Sequence, residues 1–135
     1  GMSVLPILLQ REVPSMEILN LDSSASCIER MKKRYGDLQG LQWQVCDVTK
    51  LDLTETFDAV VEKGCLDALL CCSDQEAAKY VKGLATVLAP GAPCLIVSNS
   101  MARRRHLHEF FEVTTIPVDP EDQVFGPCVY ICRRF

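Results

Sequence analysis

Phe57-Asp58-Ala59-Val60-Val61-Glu62-Lys63-Gly64-Cys65-Leu66-Asp67-Ala68 decides the fold. Its first half is apolar and β-branched, so Phe57–Glu62 reads as a buried strand. The pattern breaks at Glu62-Lys63-Gly64 and passes to a helical one over Leu66–Cys71. A charged, glycine-containing break at the carboxyl end of a buried strand is where open α/β sheets carry their chemistry.

Downstream, Asp74 is expected to cap a helix over Gln75–Leu88, with Ala78, Val81, Leu84, Ala85 and Leu88 as its apolar stripe. Ala89-Pro90-Gly91 stops that helix. Ala92–Ser98 reads as a buried strand and Met101–Phe110 as a helix. Glu112–Val118 and Cys128–Arg134 read as strands joined by a loop rich in Pro and Asp. Upstream, Val4–Glu12 reads as a short helix that tolerates Pro6 in its first turn. Met16–Leu21 is a strand, and Asp22-Ser23-Ser24 supplies caps for a helix over Ser24–Tyr35. Leu41–Cys46 alternates, with Leu41, Trp43 and Val45 on one side. This order predicts an α/β layer architecture in one domain over residues 1–135. The sheet is mostly parallel and ends in an antiparallel pair.

The chain has 135 residues, is 48% hydrophobic and carries a net charge of −4. That charge argues against a nucleic-acid partner held through phosphates. No apolar run approaches the ~20 residues that span a bilayer, and Gly1-Met2-Ser3-Val4 shows no signal-peptide pattern, Met2 reading as the natural start. The eight cysteines lack C-x-x-C spacing and read as small apolar residues in a reduced protein, cytoplasmic or nuclear. No metal site is expected.

Three strands end in an acid followed by a turn: Leu21-Asp22-Ser23, Cys46-Asp47-Val48 and Val61-Glu62-Lys63-Gly64. Parallel strands would bring all three acids to one edge. A carboxylate only accepts hydrogen bonds, which suits ribose hydroxyls and an exocyclic adenine amine. For any one acid alone, the simpler role is to cap the next helix or turn. Three in register favour a nucleoside site.

Ile18–Asp22, Gln44–Leu53, Phe57–Leu69, Leu84–Ser98 and Phe125–Arg134 together resemble a class I S-adenosylmethionine-dependent methyltransferase. More narrowly, Glu62–Ala68 and Ser98–His106 resemble the group that includes elongation factor 1-alpha lysine methyltransferases. The resemblance implies a Rossmann-like, three-layer α/β sandwich and methyl transfer to a protein lysine, with a protein substrate as partner. It implies that Asp22 and Ser23 hold the cofactor ribose. Asp47 takes the adenine amine beside Val48. Glu62, Lys63 and Gly64 line the methionine end and the acceptor entrance.

The chain departs from the family in one respect: it contains no G-x-G, and the first strand and glycine-rich loop are missing from it. An incomplete domain, truncated at its amino end, is therefore expected. Its cofactor binding would be weakened or lost. The gap would be met by pairing the Asp22 and Glu62 strands directly, or by a homodimer through exposed strand edges. The alternative function is a non-catalytic remnant acting by association; a nucleotide-binding oxidoreductase half is a weaker one. Arg103-Arg104-Arg105 reads as a solvated face, with contact to an acidic substrate as its functional alternative. His106 and His108 are too poorly spaced for a helical metal pair, and Cys65 is not expected to be a nucleophile.

Overall fold

The computed structural model describes residues 4–135; the expectations for Gly1–Ser3 lie outside them. The chain divides into two compact units, Gly1–Val48 and Thr49–Phe135.

In the first unit, α1 (Leu5–Glu12) precedes β1 (Ile18–Asp22), α2 (Ala25–Tyr35) and β2 (Leu41–Val45). Pro6 lies in the first turn of α1, where no helical N–H is needed. Ser24 caps α2, its hydroxyl accepting from the Cys27 amide. Strands β1 and β2 pair in parallel, with Ile18 opposite Leu41 and Asp22 opposite Val45. The register starts at Gly40, whose carbonyl accepts from Ile18 N at 2.7 Å. Gly40 has φ +79°, and a Cβ there would lie 2.9 Å from the Met16 carbonyl oxygen. Ile28 and Met31 of α2 bury against Leu41 and Trp43, with Ile7, Ile18 and Tyr35 packed around them. Tyr35 stacks on Trp43 with ring centroids 6.4 Å apart. On the side that Leu41, Trp43 and Val45 share, the first two are buried and Val45, the last residue of β2, is exposed.

In the second unit, β3 (Val60–Lys63) leads through α3 (Cys65–Cys72) to α4 (Asp74–Val87). Strands β4 (Pro93–Ser98), β5 (Phe111–Pro117) and β6 (Cys128–Arg134) follow. The sheet order is β3-β4-β6-β5: β3 and β4 are parallel, and β6 runs antiparallel to both of its neighbours. The antiparallel terminal pair is as expected. Strand β3 is shorter than Phe57–Glu62, because exposed Asp58 and Ala59 separate it from Phe57, which bridges to Leu88 instead. Ser73, not Asp74, caps α4, accepting from the Gln75 and Glu76 amides. The buried face of α4 is Ala77, Tyr80, Val81, Leu84, Ala85 and Val87, and Ala78 is exposed. Val81, Leu84, Ala85 and Leu88 are buried as expected, and Ala77 with Tyr80 takes the place expected of Ala78.

The helix expected over Met101–Phe110 is a 3-10 helix over Met101–His106, followed by turn through 107–110. The Arg103 amide is spent on the Tyr130 hydroxyl at 2.9 Å, which draws it out of a regular helical ladder. The hydrogen-bonded partner of β1 is β2, and that of β3 is β4, among the described residues. The cysteines are less uniformly interior than expected: Cys94, Cys128 and Cys132 are buried, whereas Cys71 and Cys72 are exposed. No helix among the described residues is long and apolar enough to cross a membrane.

The core of the first unit is small, so single truncations weigh heavily on it. Ile28→Ala should remove about 2–5 kcal/mol. The protein's one tryptophan, Trp43, sits in that core. Its fluorescence should therefore show a lower urea midpoint in the variant, and an unchanged midpoint would contradict the packing described.

Candidate functional site

In the first unit, the carboxyl ends of β1 and β2 form one edge. The Asp22 carbonyl accepts from Cys46 N at 3.0 Å, which carries the ladder one step past β2. Asp22 and Asp47 therefore leave neighbouring strands on the same side, as parallel pairing dictates. The Asp22 side chain is half-buried and its Oδ1 accepts from the Ser24 amide at 2.8 Å. That bond is the capping role an acid in this place performs alone. Its second oxygen has no hydrogen-bond partner among the described residues and remains an acceptor for a hydroxyl donor. Ser23 and Asp47 are exposed and Val48 is half-buried. Val48 opens a short 3-10 turn, Val48–Lys50. This acceptor-rich edge with Val45 and Val48 beside it fits an adenosine group: carboxylates for hydroxyls and amine, apolar surface for a ring.

In the second unit, Glu62 lies inside β3, and Lys63 is the last residue of the strand. Alternation puts Glu62 on the buried face, 9% exposed, and Lys63 on the open one. Gly64 extends the ladder through its N–H to the Val97 carbonyl at 2.9 Å, then turns with φ 74° into α3. Nothing lies within 4 Å of where its Cβ would be, so the left-handed backbone, not crowding, requires glycine. The Glu62 carboxylate folds back over this turn. Its Oε2 accepts from Cys65 N at 2.6 Å and Leu66 N at 3.4 Å, capping α3. Its Oε1 is buried without a hydrogen-bond partner among the described residues. Burial raises the Glu62 carboxyl to about 7, against the pull of the two amides; the Asp67 charge adds to the rise. The same carboxyl, with burial first, helps push the Tyr80 hydroxyl well above its ordinary range.

One turn into α3, Asp67 is buried and holds the chain that follows β4. Its Oδ1 accepts from Ser98 Oγ and from Arg103 Nε, both at 2.8 Å, and its Oδ2 accepts from Asn99 N at 2.8 Å. Burial raises the Asp67 carboxyl, but the Asn99 amide, the Ser98 hydroxyl and the Arg103 guanidinium outweigh it and hold it below its ordinary value. Tyr130 of β6 closes the network: its hydroxyl donates to Ser100 O at 2.7 Å and accepts from the Arg103 amide. Arg103 thus leaves the expected solvated triplet and becomes a strut, while Arg104 and Arg105 are exposed. Sequence reasoning assigned no role to Asp67, Ser98 or Tyr130. The only signal was the position of Asp67 on the inner side of a short helix. His106 Nε2 accepts from Arg105 Nε and His108 Nδ1 lies 3.4 Å from Arg104 O, so both are used locally. Two surface depressions of about 270 and 380 Å³ share Lys82, Glu109 and Phe110 and exclude Glu62–Gly64.

Comparison with known proteins identifies the family and the fold. Residues 1–91, more than half of the chain, match a family described as a methyltransferase domain. The chain belongs to that family. It is 27% identical over 113 residues to a ubiquinone/menaquinone biosynthesis C-methyltransferase of Desulfotalea psychrophila, covering 83% of this chain and 44% of the relative. It is 39% identical over 54 residues to mouse EEF1A lysine methyltransferase 4, covering 39% of this chain and 21% of the relative. The chain thus spans less than half the length of these curated relatives. Among solved structures it is similar to the N-methyltransferase NodS from Bradyrhizobium japonicum WM9. There the TM-score is 0.73 at 16% identity, over 93% of this chain and 78% of that one. A methyltransferase from Clostridium acetobutylicum gives 0.75 at 11%, over 94% and 79%. The fold is the Rossmann-like methyltransferase fold.

Glu62 makes stability depend on pH. The unfolded carboxyl releases its proton near 4.5 and the folded one near 7, so the folded state binds more protons between these values. Stability is then greatest below the lower value and falls by on the order of 3 kcal/mol as pH rises through the upper one. Glu62→Gln should flatten the melting temperature between pH 5 and 8; a slope equal to the parent's would remove Glu62 as its source. Asp67→Ala should cost about 3 kcal/mol, because it strands Arg103 and two further donors, the Ser98 hydroxyl and the Asn99 amide. Denaturant titration with the parent as reference checks this.

Proposed function

We propose that this chain takes part in S-adenosylmethionine-dependent methyl transfer to a lysine amine of a protein. The observation that supports the cofactor is Asp22: one carboxylate oxygen is tied to Ser24 and the other is left for a donor, at the edge of a methyltransferase-family sheet. The cofactor supplies an activated methyl group on a sulfonium. In this reading the second Asp22 oxygen, with Ser23 beside it, accepts from the ribose hydroxyls. Asp47 accepts from the adenine amine and Val48 lies against the ring. In the second unit, Glu62 sets the turn that presents Lys63 and Gly64 on the acceptor side. The transfer is a displacement at carbon by a neutral amine, so it calls for alignment and exclusion of water rather than for an acid–base triad.

The protein acceptor is favoured by the relatives named EEF1A lysine methyltransferase 4 from mouse and cattle, 39% and 38% identical over their aligned parts. A second reading, a small carbon acceptor, is favoured by the longer alignment to the quinone-biosynthesis relative.

Calorimetry should show S-adenosylmethionine binding to the chain, weakened at least about tenfold in Asp22→Ala. Equal affinity in the variant would take Asp22 out of the site. No binding by the parent would favour the non-catalytic alternative. Radiolabelled methyl groups recovered as methyl-lysine after acid hydrolysis of cell proteins would support the lysine acceptor; label in the lipid extract alone would favour the second reading.

A further inference from the structure

The loop between β5 and β6 is the one motif of the carboxyl edge that the cofactor reading leaves unused. It reads Val118-Asp119-Pro120-Glu121-Asp122-Gln123-Val124-Phe125-Gly126-Pro127 and holds three acids and no base. Register fixes where it sits. Ser98, at the carboxyl end of β4, pairs with Cys128, and Cys128 pairs with Pro117. The loop therefore emerges at the same edge as Lys63-Gly64, two to three strand spacings away, or about 10–15 Å.

Three of its apolar side chains face solvent: Val118 is 62% exposed, Val124 63% and Phe125 83%. A flexible loop could fold such a ring inward, but this loop is tied to itself. Val118 N donates to Pro127 O at 2.9 Å and closes its base. Asp119 Oδ1 accepts from Glu121 N at 2.9 Å, and Asp122 Oδ1 accepts from Phe125 N at 3.1 Å. Gln123 Nε2 donates to Pro120 O at 3.1 Å. Gly126 is buried, and a Cβ there would lie 2.8 Å from Asp122 Oδ2. The backbone thus holds Phe125 out, ringed by charge of one sign. Preordered aromatic residues within polar rims are the usual anchors of protein interfaces.

The geometry points to this loop as a docking surface for a basic segment of a protein acceptor, with Phe125 and Val124 taking an apolar side chain and Asp119 and Glu121 taking the cations. Charge complementarity selects this occupant: three carboxylates repel nucleic-acid phosphates and anionic headgroups alike. Its assignment to the acceptor rests on the proposed lysine methylation; its binding chemistry does not.

The test uses the 135-residue chain and a fluorescein-labelled peptide alternating lysine with leucine and phenylalanine, read by anisotropy. A matched peptide with glutamate for lysine is the control. Phe125→Ser should weaken binding of the lysine peptide about fivefold or more. Asp119→Asn with Glu121→Gln should weaken it about tenfold and remove most of its salt dependence. Melting temperatures should stay at the parent's value, since these side chains are exposed and the amide oxygen introduced at position 119 still accepts from the backbone N–H two residues on. No binding by the parent, equal binding by the variants, or equal binding of the glutamate peptide overturns the proposal. So does loss, in Phe125→Ser, of sedimentation with phosphatidylcholine vesicles when peptide binding is unaffected. The assay contains no cofactor and reads no methylation. Failure of lysine methylation therefore leaves its result intact, and failure of docking leaves the cofactor and methyl-lysine measurements standing.

Discussion

The second unit depends on a carboxylate folded over its own turn. Glu62 leaves β3 facing inward, Gly64 reverses the chain, and Glu62 Oε2 takes the first two amides of α3. Two constraints compete there. Removing a carboxylate from water is costly, and helix N-terminal amides left without acceptors are costly too. The bonds settle both at once but incompletely, since Oε1 stays without a hydrogen-bond partner among the described residues. This residual cost lifts the carboxyl to about 7. The turn also fixes the direction of α3, and with it the place of Asp67. Asp67 in turn holds Ser98, Asn99 and Arg103. The segment after β4 is thus shaped by a residue 36 positions earlier in the chain.

How much of this was legible depends on the range of the interaction. Strand Cys128–Arg134 and the end of the Ser24-capped helix at Tyr35 were readable from local pattern and match the structure. Periodicity over five residues or more carries that information. The role of Asp67 was not legible, because its partners lie beyond 30 residues away and depend on the β4–β6 register. The split of Arg103-Arg104-Arg105 was hidden for the same reason: three identical side chains differ only in what tertiary structure sets beside them. In α4 the expected face held except at its start, where Ala77 rather than Ala78 is buried. Two adjacent alanines carry the same small apolar surface, so pattern alone did not choose between them. For the candidate site, the acids after β1 and β2 were legible as residue types, and their common edge followed from parallel pairing. The inward turn of Glu62 was not, because a charge inside a strand runs against burial preference.

The first unit poses a different problem. A two-stranded parallel sheet has little stability of its own. Here two helices and a stacked Tyr35–Trp43 pair supply the apolar cover. The proposed ribose carboxylate sits at the end of that sheet, so ligand and fold are linked. A ligand that bonds Asp22 binds only where β1 and β2 are in register, and so adds its binding energy to that of the ladder.

Electrostatics at the carboxyl edge of the second unit gives a reason for the distribution of its charges. Arg104 and Arg105 follow β4, while Asp119, Glu121 and Asp122 follow β5, and both groups are exposed. The two groups carry opposite charge at the carboxyl ends of β4 and β5. In the proposed docking, a basic segment would be drawn to the acidic loop and repelled from the arginines, which would set its direction as well as its place. Arg103 cannot join that field, because Asp67 has already neutralised it in the interior. Removing Asp67 would therefore shift the edge by one positive charge in addition to loosening the 3-10 turn. In the proposed docking, the Asp67–Arg103 pair would act on selectivity as well as on stability, by keeping one arginine out of the field that an incoming chain meets.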